Sequence, residues 1–131
     1  MFDIKLTSAS TYSIRLAHAD ATSEIDGKPL ADVCFAAHPG AMAVPLDAEK
    51  VEGPLSFAIG DQDMLLPMAK VEVVQKVLEE RKQSSRVDTE LTVYPGAGHG
   101  FGTRGNPADA AGLKHSEAAM VQAIRWFAKH F

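Results

Sequence analysis

The chain has 131 residues and a formal net charge of −4, with 46% hydrophobic residues, 23% charged residues and a single cysteine, Cys34. That length suits one ordinary domain with a sizeable core. The acidic balance and the lack of any Lys/Arg cluster exclude a nucleic-acid or anionic-membrane footprint, and one cysteine excludes an intrachain disulfide framework. The first six residues alternate charged and apolar types without the apolar core of a signal peptide, and no apolar run reaches membrane-span length, so the expected setting is the cytoplasm.

Phe2, Ile4 and Leu6 alternate with Asp3 and Lys5, the pattern of a short strand with one wet face. Thr7-Ser8-Ala9-Ser10 can turn the chain and cap a helix from Thr11 to Ala19, with Tyr12, Leu16 and Ala19 on one face. A polar loop follows, with turn chemistry at Asp26-Gly27. Asp32-Val33-Cys34-Phe35-Ala36-Ala37 is a strand-length apolar run stopped by His38-Pro39-Gly40. Being apolar on both faces, it suits a parallel sheet covered on both sides. Leu55-Ser56-Phe57-Ala58-Ile59 is a second such run, entered through Gly53-Pro54 and closed by Gly60-Asp61-Gln62-Asp63.

A helix is predicted from about Pro67 to Lys82, with Pro67 in its first turn and Met68, Val71, Val74 and Leu78 as its buried stripe. Glu90-Leu91-Thr92-Val93-Tyr94 is a third strand, leading into Pro95-Gly96-Ala97-Gly98-His99-Gly100-Phe101-Gly102. Asn106 is the predicted cap of the last helix, with Asp109 in its first turn. Met120, Ile124, Phe127 and Phe131 recur at helical spacing with Trp126 beside them, so this helix should dock through its C-terminal half.

Strand, helix, strand, helix in the second half implies an α/β fold with parallel strands. The loops after Ile59 and Tyr94 then leave the carboxyl ends of parallel strands, the edge at which open α/β sheets bind ligands. Asp63 and His99 share that edge. An acid followed by a histidine is the order of the last two members of a nucleophile–acid–histidine relay. In such a relay the acid orients the imidazole, which takes and returns the nucleophile's proton.

The flanks are more specific than the spacing. Gly53-Pro-Leu-Ser-Phe-Ala-Ile-Gly60-Asp-Gln-Asp63, followed by Leu91-Thr-Val-Tyr-Pro-Gly-Ala-Gly-His99-Gly-Phe101, resembles the C-terminal half of the dienelactone hydrolase family. The strand ending at His38-Pro39 and the closing helix with Trp126-Phe127 and His130-Phe131 share the likeness, which covers roughly residues 30–131. The resemblance implies a partial α/β-hydrolase fold, with three or four mostly parallel strands and flanking helices. Residues 1–30 would be a divergent N-terminal segment, and residues 31–131 the hydrolase-like half-domain. It implies hydrolysis of a small ester or lactone without cofactor or metal, with Asp63 as relay acid and His99 as base. Asp61 stands two positions early for that role.

The family's nucleophilic cysteine or serine, held in a glycine-flanked elbow, has no counterpart here: no Ser or Cys has glycine two residues to each side. Thr7 and Ser8 occupy the equivalent place without those glycines, which a strained elbow needs. The oxyanion donor of an early strand–helix loop is missing too. The competing expectation is therefore a catalytically inactive, truncated member that persists as a folded module and oligomerises through the exposed edge of the Asp32–Ala37 strand.

The remaining candidates read as structural. Cys34 is a small buried hydrophobe, His38 ends its strand, and His115 and His130 are helix-surface residues. A metal site from Asp63, His99 and His38 lacks a short-spaced ligand pair. Gly100-Phe-Gly-Thr-Arg-Gly105 matches the dinucleotide pattern formally, but starts several residues past its strand with no later strand to complete the fold, so it is accidental.

Overall fold

A computed structural model describes residues 10–103 and 108–131. The elements run α1 (Ser10–Leu16), β1 (Cys34–Ala37), α2 (Leu46–Glu49), β2 (Leu55–Gly60), α3 (Met68–Ser84), β3 (Thr89–Tyr94) and α4 (Ala110–His130). The expected strand at Phe2–Leu6 and the candidates Thr7 and Ser8 lie outside the described residues, as does the predicted cap Asn106.

Among the described residues the sheet is three-stranded and parallel, in the order β1-β2-β3. All four β1 residues and all six β2 residues are buried, as apolar runs without polar alternation require. Alternation splits them between two cores. Cys34, Ala36, Leu55, Phe57 and Ile59 join Ile14, Val71, Val74 and Leu78 on one face. Phe35, Ala37 and Ala58 join Tyr94, Ala119, Ala123 and Trp126 on the other. The second face is lined with alanine, which lets α4 approach the strands closely.

Pro67 sits at the N-cap of α3, one residue earlier than predicted. Its inward residues are Val71, Val74, Val77 and Leu78, while Met68 is 36% exposed. The cap of α4 is Asp109, whose carboxylate accepts from the Ala111 N–H at 3.1 Å. The inward face of α4 also corrects the expectation. It docks through its C-terminal half, but with Ala119, Gln122, Ala123 and Trp126; Met120 is 51% exposed, and Ile124 and Phe131 are each 63% exposed.

Gln122 can be buried because every polar atom of its amide is used. The two hydrogens on its Nε2 are shared among Ser56 Oγ at 3.1 Å, the Phe57 carbonyl at 3.0 Å and Glu90 Oε1 at 3.1 Å. Its Oε1 accepts from Tyr94 Oη at 2.7 Å. Ser56 Oγ completes the network by donating to Glu90 Oε1 at 2.7 Å. A satisfied buried network of this kind fixes one seating of α4 on the sheet. At the edge strand, α1 packs against β1, and the Trp126 indole N–H donates to the Cys34 carbonyl at 3.1 Å. The β1 side chains are thus covered, while the outer face of α4 leaves Leu113, Met120, Val121 and Ile124 exposed.

Candidate active site

Asp63 and His99 meet at the carboxyl edge of the sheet, as the parallel topology predicts. Asp63 leaves the loop after β2 and is 3% exposed. Its Oδ1 accepts from the backbone N–H of Leu65 at 2.9 Å and of Leu66 at 3.4 Å. This Asx-type turn spends one carboxylate oxygen on its own backbone and aims the other outward. That second oxygen, Oδ2, accepts from His99 Nδ1 at 2.9 Å. The His99 side chain is 28% exposed, so the imidazole is anchored at Nδ1 while part of the ring reaches solvent. Anchoring Nδ1–H on a carboxylate leaves Nε2 as the proton-accepting nitrogen.

The loop that carries His99 is held by backbone. Gly96 and Gly100 both have positive φ, +79° and +81°, conformations glycine adopts without a Cβ penalty. Asp61 accepts from the Gly96 N–H at 2.7 Å, and the Gln62 N–H donates to the Ala97 carbonyl at 3.0 Å. Asp61 therefore secures the base of the turn, whereas Asp63 touches the imidazole. Phe101 closes the far end, buried against Tyr94 with ring centroids 5.2 Å apart.

Beyond the glycine loop lies a cleft of about 340 Å³ between it and the N-terminal turn of α4, lined by His99, Phe101, Asp109, Gly112 and His115 among others. His115 is half-buried, its ring 6.0 Å from Tyr94 and 6.4 Å from Phe101. His130 is also half-buried, packed on Trp126 at 4.4 Å, with Nε2 3.2 Å from Asp88 Oδ2. Neither is the plain surface residue its helical position suggests, because both turn toward aromatic rings.

His38 shares this sheet edge. It ends β1 as expected, its N–H donating to the Ala58 carbonyl at 2.8 Å, but its ring lies 5.5 Å from that of His99. The available signal was its place just past a strand on the same sheet edge. Cys34 is buried mid-strand, and burial pushes its thiol up to about 12, so it supplies no thiolate near neutral pH. Among the described residues no Ser, Thr or Cys side chain hydrogen-bonds His99, and no three His, Cys, Asp or Glu side chains group as metal ligands would. The Gly100–Gly105 pattern lies partly outside the described residues; its described part is turn.

The model of the dienelactone hydrolase family matches residues 21–131. The chain belongs to the dienelactone hydrolase family. It is 31% identical over 97 residues to hydrolase tropI of Talaromyces stipitatus, a match covering 73% of this chain and 36% of that protein. A Klebsiella pneumoniae structure assigned as a dienelactone hydrolase aligns with a TM-score of 0.59 at 21% identity, covering 77% of this chain and 43% of the other. Thermogutta terrifontis esterase 2, phosphonylated by cyclosarin, aligns with a TM-score of 0.61 at 17% identity, covering 88% and 50%. At those identities the structural likeness shows a shared α/β-hydrolase-type fold. The chain spans half or less of the length of each of these three relatives. No helix among the described residues is long and apolar enough to cross a membrane.

Proposed function

We propose that Asp63 and His99 are the acid and base of a hydrolase acting on a small ester or lactone. The observation that carries this reading is the His99 Nδ1–Asp63 Oδ2 contact at 2.9 Å, made by a carboxylate whose other oxygen is committed to backbone. In the reaction, His99 Nε2 accepts the proton of the attacking hydroxyl, thiol or water. Asp63 keeps the imidazole in the required tautomer and stabilises the imidazolium that forms. The proton then passes to the leaving alkoxide. The cleft beside His99 lies in the size range of small-molecule sites.

The nucleophile decides how much turnover follows. With Thr7 and Ser8 lacking flanking glycines and outside the described residues, and Cys34 protonated inside the sheet, the described residues place no nucleophile beside the base. The expected activity of this chain by itself is slow hydrolysis of an activated aryl ester, with His99 acting on water. His99→Ala should lower that rate at least tenfold, within the usual range of a lost general base. Equal rates for the two proteins would refute the assignment. The second reading, a folded module without turnover, rests on the same absence of a nucleophile among the described residues. It gains if neither protein exceeds the uncatalysed rate.

A further inference from the structure

His38 stands against the acid–base pair, its ring edge-on to that of His99, and the reaction gives it no task. It is 3% exposed, and its backbone has φ +39°, the left-handed region that non-glycine residues enter at a cost of about 1 kcal/mol or more. That conformation turns the ring from the end of β1 toward the loop that carries His99. Three residues of that loop surround it. The His99 ring lies 5.5 Å away at an interplanar angle of 80°, and the Phe101 ring 5.7 Å away at 70°. Both are edge-to-face arrangements, the favoured geometry for aromatic pairs. On the third side Gly102 lies so close that a Cβ there would stand 3.2 Å from His38 Nε2.

A glycine-rich turn has little stiffness of its own, and a single hydrogen bond to Asp63 leaves the imidazole free to rock about that bond. We propose that His38 is a positioning residue for His99: its buried ring, wedged between His99, Phe101 and Gly102, holds the imidazole in line with Asp63. The inference rests on the reading of His99 as the base and adds the element that keeps it aligned. The other groups around the turn act elsewhere: Asp63 at Nδ1, Asp61 on the Gly96 N–H, and His115 against Phe101. Gly40 faces Cε1, where even a Cβ would stand at 3.7 Å, an ordinary contact. Alignment matters because displacement of a catalytic group by about 1 Å can cost about a hundredfold in rate.

The test is proton NMR of the whole chain, reading the low-field Nδ1–H line of an imidazole bonded to a carboxylate and assigning it with Asp63→Asn. His38→Asn removes the ring but keeps a residue type that tolerates positive φ, and His38→Phe keeps a ring without nitrogens. The Trp126 indole proton, bonded to the Cys34 carbonyl at the start of the same strand, reports that β1 and α4 remain assembled. The expected result is a line present in the parent, lost or broadened several-fold in His38→Asn, and restored in His38→Phe, with the Trp126 line unmoved throughout. A line unchanged in His38→Asn overturns the positioning role alone, as does a folded His38→Phe chain that has lost it. A parent chain without the line overturns the acid–base reading and the positioning role with it.

Discussion

Gly60 and Ala97 touch through their backbones: a Cβ on residue 60 would stand 2.1 Å from the Ala97 carbonyl oxygen. The loop that carries His99 can therefore lie on the end of β2, next to Asp63, only if residue 60 has no side chain. Gly60→Ala should force the loops apart, at the roughly 1–3 kcal/mol typical of overpacking. Urea denaturation checks the stability loss, and the low-field His99 line should weaken with it. A variant of parental stability with that line intact would show that the contact relaxes without consequence.

The two neighbouring aspartates should separate cleanly. Asp63→Ala removes the imidazole's partner and should abolish the low-field line while lowering any ester hydrolysis to the level of His99→Ala. Asp61→Ala frees the Gly96 N–H but leaves the Asp63–His99 hydrogen bond in place. It should keep the line and cost about 1 kcal/mol, as one hydrogen bond does. Interchanged outcomes in the same two spectra would reverse the assignment of the two residues.

The legible part of the fold was the part in which burial and residue type agree. β2 and β3 could be read from run length and their Gly/Pro borders, and Asp63 and His99 from their places just beyond two such runs. The inward face of α4 was not legible, because it is built from Ala119, Gln122, Ala123 and Trp126. Alanine is required where a helix lies close over Ala37 and Ala58, and alanine leaves no strong stripe. Gln122 reads as a surface residue until Tyr94, Ser56 and Glu90 are brought to it. The four-residue α2 was too short to leave a period, and Asp109 was displaced as cap by Asn106, a residue of equal capping preference three positions earlier.

Gln122→Leu is the sharpest stability test, since it is close in volume yet strips Tyr94 Oη, Ser56 Oγ and Glu90 of a shared partner. The expected loss is roughly 1–3 kcal/mol, the cost of leaving buried polar groups unsatisfied. Tyr94→Phe removes one bond and should cost less. Chemical denaturation of both variants decides the order, and a stabilised Gln122→Leu chain would mean the network is dispensable.

Cys34 makes the chain sensitive to alkali. Burial raises its folded-state value to about 12 against an ordinary 9.0, so between those limits the unfolded chain has lost a proton that the folded chain retains. The unfolded state binding fewer protons means that stability falls as pH rises through this window, and is unaffected below it. Cys34→Ala should shallow the fall in urea midpoint between pH 9 and pH 12 relative to the parent. A thiol reagent at neutral pH should label the parent only after denaturant is added.

The outer face of α4 exposes Leu113, Met120, Val121 and Ile124, an apolar surface of the kind that promotes association. Light scattering should detect self-association of the purified chain, reduced by pairing Met120→Glu with Ile124→Lys. A monodisperse monomer at high concentration would count against it.

The Trp126–Cys34 hydrogen bond joins residues 92 positions apart, so β1 acquires this partner only after α4 has been made. Contacts of such long range are slow to form, because the intervening loop entropy is lost before they contribute. A nascent chain emerging from the ribosome carries β1 through the synthesis of the next 92 residues without the helix that seats it. Loss of Trp126 therefore acts on a strand 92 positions earlier, loosening β1 and with it the strand end on which His38 stands.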